Sequence, residues 1–491
     1  MRSSIIGCLF LLVSCVSMPV AAAPCDQLAA LALKDATVTS ATLVTGGEFQ
    51  TFKNLPAFCR VAATLTPSSD SDIKVEVWLP ASGWNGKFQA VGNGGWAGVI
   101  SYADMAGALR AGYATASTDT GHVGGRGTFA LDHPEKLIDF SWRSEHDMTI
   151  KAKQVIAGFY GSAPRVSYWN GCSTGGRQGL KEAQMFPDDY DGIIAGAPAN
   201  RTAISLWIAD AVLKDPARYI QPSKYPVIHQ AAIAACDAGD GLKDGLIADP
   251  TKCRFDPAVL ACKGGDGPSC LTAPQIAATK QIYSPARNPR TGKELFSSFV
   301  PGTELGWGAQ AQGPEPNALI ADQYKYVVFK DPNWDWKTFN FDTDVERGNR
   351  PENLIMNATS PDMKAFFAHG GKLLLYHGWS DPLVPTLNTI QYYTSVVDAM
   401  GGPAQASTSV RLFLEPGMGH CGGGEGPNAF DKMGAMEQWV EHGTAPNTMI
   451  ASHTKDGKVD RTRPLCPYPQ VAKYKGTGSI DDAANFACVA P

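Results

Sequence analysis

Beyond its first 23 residues the chain contains no apolar run approaching 18 uninterrupted residues, so no later segment is built to cross a bilayer as a helix. It has no cluster of basic residues able to neutralise several phosphates, and no stacking motif interleaved with one, so no nucleic-acid partner is indicated. Internal repeats and low-complexity tracts are missing as well. Charged residues make up 18% of the 491, the net charge is -5 and 44% are hydrophobic. With an isoelectric point near 6.0, this is the balance of a soluble globular protein. Glycine and proline are abundant, at 51 and 34 residues, which points to long ordered loops.

At the N-terminus, Met1-Arg2 precedes the apolar run Ile5 to Val16 and then Met18-Pro19-Val20-Ala21-Ala22-Ala23. This pattern predicts a signal peptide over residues 1–23, cleaved after Ala22 or Ala23, and a secreted or periplasmic protein. Lipidation at Cys15, within Leu12-Val13-Ser14-Cys15, is the alternative form of export. Removing the leader takes Cys8 and Cys15 and leaves ten of twelve cysteines, an even number that fits five bridges. Proximity suggests Cys236 with Cys253, Cys262 with Cys270 and Cys466 with Cys488, leaving Cys25, Cys59, Cys172 and Cys421.

The most informative stretch is Tyr168-Trp169-Asn170-Gly171-Cys172-Ser173-Thr174-Gly175-Gly176, a Gly-x-Ser-x-Gly pattern directly after a strand-like run. Small flanking residues let the backbone reverse sharply there and push the serine hydroxyl outward. A serine nucleophile needs a base, and the base needs an acid to orient it. The apolar run Lys372 to Tyr376 leads to Asp381, and the run Val410 to Leu414 leads to His420. The order Ser173, Asp381, His420 is that of an α/β-hydrolase fold. Taken singly, an Asp after a strand is more often a turn former, and a lone His a surface or core residue.

Cys172 immediately precedes Ser173, and Cys421 immediately follows His420. If bonded, their α-carbons lie about 5 to 6 Å apart, which staples the serine and histidine backbones together. In the chain-entropy model a loop of that length contributes roughly 5 kcal/mol. Cys172 acting as the nucleophile is the competing reading; it requires a free thiol, which an oxidising compartment disfavours.

Strand-like segments at Lys74 to Leu79, Lys87 to Gly92, Tyr113 to Asp119, Arg165 to Asn170, Gly192 to Ala197, Lys372 to His377 and Arg411 to Leu414 alternate with helical patterns such as Glu145 to Tyr160. A mainly parallel sheet covered on both faces follows. About 175 residues separate the strands at Gly192 and Lys372. This spacing divides the mature chain into a catalytic domain (24–200 and 351–491) and an inserted lid domain (201–350).

Inside the insertion lies Asp237-Ala238-Gly239-Asp240-Gly241-Leu242-Lys243-Asp244-Gly245-Leu246-Ile247. Asp237, Asp240 and Asp244 carboxylates with Leu242 and Leu246 carbonyls would offer oxygens to a calcium ion, although no Glu stands at the closing position of an EF-hand. A solvated acidic turn without metal is the plain alternative. For an oxyanion, the amide of Thr174 follows the serine, and the glycine-rich Val91 to Trp96 nominates Gly94 and Gly95.

These residues together resemble the tannase and feruloyl esterase family, which also contains mono(hydroxyethyl)terephthalate hydrolase, over essentially the whole mature chain. The resemblance rests on Cys172-Ser173, Asp381 and His420-Cys421, and on the loop Cys236-Asp237 through Ile247. It implies a disulfide between Cys172 and Cys421, calcium in the lid, and a Ser-His-Asp acyl-enzyme mechanism. The substrates it implies are esters of aromatic acids, small or polysaccharide-linked. Feruloyl esterase is the expected activity, with tannase and mono(hydroxyethyl)terephthalate hydrolase as alternatives. An inactive hydrolase-like calcium-binding protein is the non-enzyme alternative, and the intact Ser, Asp and His argue against it.

Overall fold

A computed structural model of the chain describes residues 22–490 apart from Ala97, Arg201 and Gln312. The expected signal peptide falls, up to residue 21 and with Cys8 and Cys15, outside the described residues. Nine strands build the central sheet: β1 (Ala36–Val44), β2 (Phe58–Leu65), β3 (Ile73–Pro80), β4 (Lys87–Val91), β5 (Ala114–Thr118), β6 (Val166–Cys172), β7 (Gly192–Gly196), β8 (Lys372–Gly378) and β9 (Val410–Glu415). Across the sheet they run β1-β2-β3-β5-β4-β6-β7-β8-β9. From β5 to β9 every neighbouring pair is parallel. β1, β2 and β3 join as an antiparallel edge.

Alternation of side chains sorts the parallel half into two cores. Trp169, Ile193, Leu373 and Leu412 face one side, and Tyr168, Ile194, Leu374 and Phe413 the other. Helix Ser144–Tyr160 covers the first face with Met148, Ala152, Val155 and Ile156. Helix Lys432–His442 covers the second through Met436. Burial on both faces explains why these strands read as continuous apolar runs. β1 and β2 are not among the strands predicted from sequence. β1 alternates only between half-buried and exposed positions and is rich in threonine, so its apolar signal is weak.

Between β7 and β8 the chain forms helices Ile204–Val212, Tyr225–Cys236 and Ala273–Ile282, joined by short helical turns. Several turns start at an Asp-Pro pair, where the side chains of Asp215, Asp249 and Asp256 accept the N–H two residues on. Residues from Ala203 to Val345 enclose a hydrophobic core of their own around Ile228, Phe299, Trp307 and Tyr324. The chain rejoins the sheet's core at Ala358, Met363 and Phe366.

Five disulfides are present: Cys25–Cys59, Cys172–Cys421, Cys236–Cys253, Cys262–Cys270 and Cys466–Cys488. Among the described residues no helix is long and apolar enough to cross a membrane.

Candidate active site

The chain makes β4 and β5, then crosses back to lay β6 on the far side of β4, so the strand order reverses between them. At such a reversal the loops leaving the strands diverge and open a crevice at the carboxyl ends. β4 and β6 are in register, Val91 opposite Asn170, so the loop Gly92–Trp96 and the turn at Ser173 emerge side by side.

Ser173 has φ 61° and ψ -122°, a conformation that L-residues rarely adopt, at the start of helix Thr174–Met185. Its N–H donates to Gly196 O at 2.9 Å, and its own carbonyl accepts from Ala199 and Arg177 at 2.9 and 3.1 Å. The turn is tight enough that a Cβ on Gly171 would lie 2.5 Å from the Gly175 backbone, and one on Gly176 would lie 2.3 Å from Gly196 O. Only glycine fits at either place.

Asp381 and His420 leave the ends of β8 and β9, which pair as His377 opposite Leu414 and Gly378 opposite Glu415. His420 Nδ1 lies 2.6 Å from Asp381 Oδ2. A carboxylate only accepts, so Nδ1 carries the proton and Nε2 keeps a lone pair, the tautomer a general base requires. The N–H groups of Leu383 and Val384 donate to Asp381 Oδ1 at 2.8 and 3.0 Å. Burial alone would push the Asp381 carboxyl up. Hydrogen bonds from His377 and His420 override this and hold it well below the usual carboxylate range. Cys172 and Cys421, beside Ser173 and His420, are bonded with α-carbons 5.9 Å apart, so β6 and the loop after β9 are covalently held together.

The glycine loop is stitched to the helix that follows Ser173. Asn93 N–H donates to Gln178 Oε1 at 2.9 Å, Gln178 Nε2 donates to Asn93 Oδ1 at 3.1 Å, and Gly175 N–H donates to Asn93 O at 2.8 Å. Thr174 Oγ1 donates to Gly95 O at 2.9 Å. Gln178 also donates to Glu145, whose carboxyl burial pushes up to about 7. Sequence reasoning missed Asn93, Gln178 and Glu145. Each sits in a different element, so no local pattern announces them.

Ser173 and His420 line one cavity of about 770 Å³ together with Gly94, Gly95 and Trp96. Ile204, Leu319 and Ile320 of the insertion close another side, and Leu383-Val384-Pro385 line it near Asp381. The insertion is anchored at this mouth. Trp96 Nε1 donates to Leu319 O at 2.9 Å, Gln310 donates to the carbonyls of Pro382 and Leu383, and Arg126 makes a two-pronged pair with the buried Asp322 at 2.7 Å.

In the acidic loop, Gly241 and Gly245 take φ of 89° and 82°, the left-handed region that favours glycine. Asp237 Oδ1 accepts from the amides of Asp244 and Gly245, Asp240 Oδ1 from Leu242, and Asp244 from Leu246. Asp244 also pairs with Arg463. Burial, followed by the charges of Asp244 and Asp237, raises the Asp240 carboxyl above its ordinary value. With the Leu242 and Leu246 carbonyls the donor set is oxygen only, the chemistry a hard cation takes. Among the described residues, the cluster whose metal-ligating atoms converge within 4.8 Å is a different one, His146, Glu182 and Asp189. There His146 Nδ1 already bonds Asp189 Oδ2 at 2.7 Å, and burial drives the Glu182 carboxyl far up.

A crevice at the reversal of a largely parallel sheet, with Asp381 and His420 in the loops that follow β8 and β9, defines an enzyme of the α/β-hydrolase fold. The family described as tannase and feruloyl esterase matches residues 59–489, and the chain belongs to it, among the carboxylic ester hydrolases. An uncharacterized esterase of Xanthomonas campestris pv. campestris is 41% identical over 96% of this chain and 92% of its own length. A probable feruloyl esterase B-1 of Aspergillus oryzae is 34% identical, covering 91% of this chain and 86% of that protein. The crystal structure of feruloyl esterase B from Aspergillus oryzae superimposes with a TM-score of 0.88 at 34% identity, covering 95% of this chain and 99% of that one.

Proposed function

We propose that this esterase hydrolyses esters of hydroxycinnamic acids, as a feruloyl esterase, through an acyl-enzyme on Ser173. The observation that carries this reading is the one cavity lined by Ser173, His420 and the Gly94-Gly95 loop, with Asp381 bonded to His420 behind it. The likeness to feruloyl esterase B supports the choice of acyl group. In the reaction His420 Nε2 takes the Ser173 proton as Oγ attacks the ester carbonyl, and Asp381 stabilises the imidazolium. The N–H of Thr174 and those of the Gly94-Gly95 loop receive the oxyanion. His420 then protonates the departing alcohol, and water, deprotonated by the same nitrogen, releases the aromatic acid. The insertion (201–350) acts as a lid. Its Ile204, Leu319 and Ile320, with Leu383 and Val384, present an apolar wall that suits an aromatic ring.

Calcium, held by Asp237, Asp240 and Asp244 with the carbonyls of Leu242 and Leu246, would brace the insertion and take no part in the chemistry, since this loop does not line the cavity. Export to the periplasm or medium fits the five disulfides. Initial rates on methyl ferulate, methyl gallate and mono(hydroxyethyl)terephthalate, beside Ser173→Ala, test the reading. Preference for ferulate that the variant abolishes is the expected result. Preference for gallate keeps the mechanism and makes the enzyme a tannase, and equal rates in both proteins contradict the proposal.

A further inference from the structure

Asp381 is gripped by a second histidine for which the triad has no use. His377, the penultimate residue of β8, is fully buried, and its Nε2 lies 2.9 Å from Asp381 Oδ2, the same oxygen that accepts from His420. That nitrogen is also 3.1 Å from Val384 O. Both neighbours only accept, so Nε2 bears a proton. On the other side of the ring, Nδ1 is 2.8 Å from Thr389 Oγ1, a hydroxyl able to donate. A neutral imidazole with its proton on Nε2, accepting from Thr389, leaves neither ring nitrogen unmatched in a buried setting. A cationic ring would instead draw the carboxylate's charge away from His420.

The backbone supports this arrangement. A Cβ on Gly378, between His377 and Asp381, would lie 2.2 Å from Met418 O. Its absence lets the loop that carries His420 settle onto the end of β8. The N–H of Ser380 donates to that same Met418 carbonyl at 2.9 Å. His377, Asp381 and His420 are thus held in one buried chain whose outer member, His420, reaches the cavity.

We propose that His377 is a positioning residue: its Nε2–H fixes the Asp381 carboxylate in rotation and keeps it ionised for His420, while Thr389 holds the ring in the neutral tautomer that can do so. This rests on the Ser173–His420–Asp381 reading. Without His377 the carboxylate loses one of its four donors and is held less firmly at Oδ2, the oxygen that positions His420. A shift of about 1 Å at a reacting group lowers rate by up to about 100-fold.

The test is kcat and KM across the pH range for His377→Leu, His377→Gln, Thr389→Val and Asp381→Asn, with melting temperatures. His377→Leu is expected to lower kcat roughly 10- to 100-fold at nearly constant KM. The glutamine variant, whose side-chain N–H can reach the same oxygen, should recover part of the loss, and Thr389→Val should fall between wild type and leucine. The acid limb of kcat/KM, which reports His420, should move to higher pH in His377→Leu, because an Asp381 with fewer donors is a stronger partner for the imidazolium. A folded His377→Leu with unchanged kcat and acid limb overturns the proposal. So does a loss that tracks melting temperature with no limb shift and no recovery by glutamine. Full rate in Asp381→Asn overturns the triad itself, a failure distinguishable from that of His377 alone.

Discussion

The parallel half of the sheet and the insertion between β7 and β8 are built on different terms. In the sheet, each residue of the candidate site follows the carboxyl end of a strand: Ser173 after β6, Asp381 after β8 and His420 after β9. Hydrogen-bonded register and two-sided burial place those ends, and a disulfide locks two of the loops. The insertion has no strand in the central sheet. It is held by its own core, by two short-range disulfides and by a few polar contacts at the cavity mouth. A scaffold of the first kind fixes chemistry, and one of the second kind leaves room to change what fits against it.

The comparison breaks most severely if the sheet-borne acid is dispensable. Asp381→Asn should lower kcat by about four orders of magnitude, because the amide favours the wrong His420 tautomer, while the melting temperature changes far less; steady-state kinetics beside calorimetry checks this. Next comes the metal. Chelation should destabilise the protein by a few kcal/mol, roughly 2.7 if calcium is normally present at 100 times its dissociation constant. Added calcium should restore stability, and kcat at low temperature should persist. Equal melting curves with chelator and with calcium would count against a bound ion.

A smaller and more selective effect is expected from the insertion's apolar wall. Leu319→Ala should change the ratio of kcat/KM for ferulate over gallate by about 10-fold and leave the pH profile alone. An unchanged ratio would remove Leu319 from the specificity wall. The subtlest expectation concerns the junction of the two regions, where His229 sits 2.8 Å from Glu304 and 2.7 Å from Glu425, the latter in the loop after His420. Burial lowers the His229 value, but the two carboxylates outweigh it and raise it from 6.5 to about 9. A raised folded value means the clamp's stability is complete below pH 6.5 and is lost as pH climbs through about 9. Melting temperature should therefore fall over that interval in wild type and fall less in His229→Gln.

Legibility follows the same division. The buried parallel strands are readable because two-sided burial makes them largely apolar, and Ser173, Asp381 and His420 are conspicuous because each stands just past such a run. The edge strands β1 and β2 escape, the first because its half-exposed face carries threonine and serine. His377 was visible as a residue, and its spacing of four from Asp381 across a glycine was the signal available; its role needs the tertiary contact with Thr389. Asn93, Gln178 and Glu145 left no such trace, since their bonds span elements distant in sequence. In the insertion, Asp-Pro turns are local and readable, but which apolar side chains reach the cavity depends on how the separate core docks.

The central claim is that Ser173 is acylated by an aromatic ester in the crevice at the sheet's reversal. Rapid-quench mass spectrometry during turnover of 4-nitrophenyl ferulate tests it most directly. A feruloyl adduct that forms and decays on the peptide containing Ser173, and is missing from Ser173→Ala, is the result this account predicts. Turnover with no adduct, or an adduct on another residue, would contradict it.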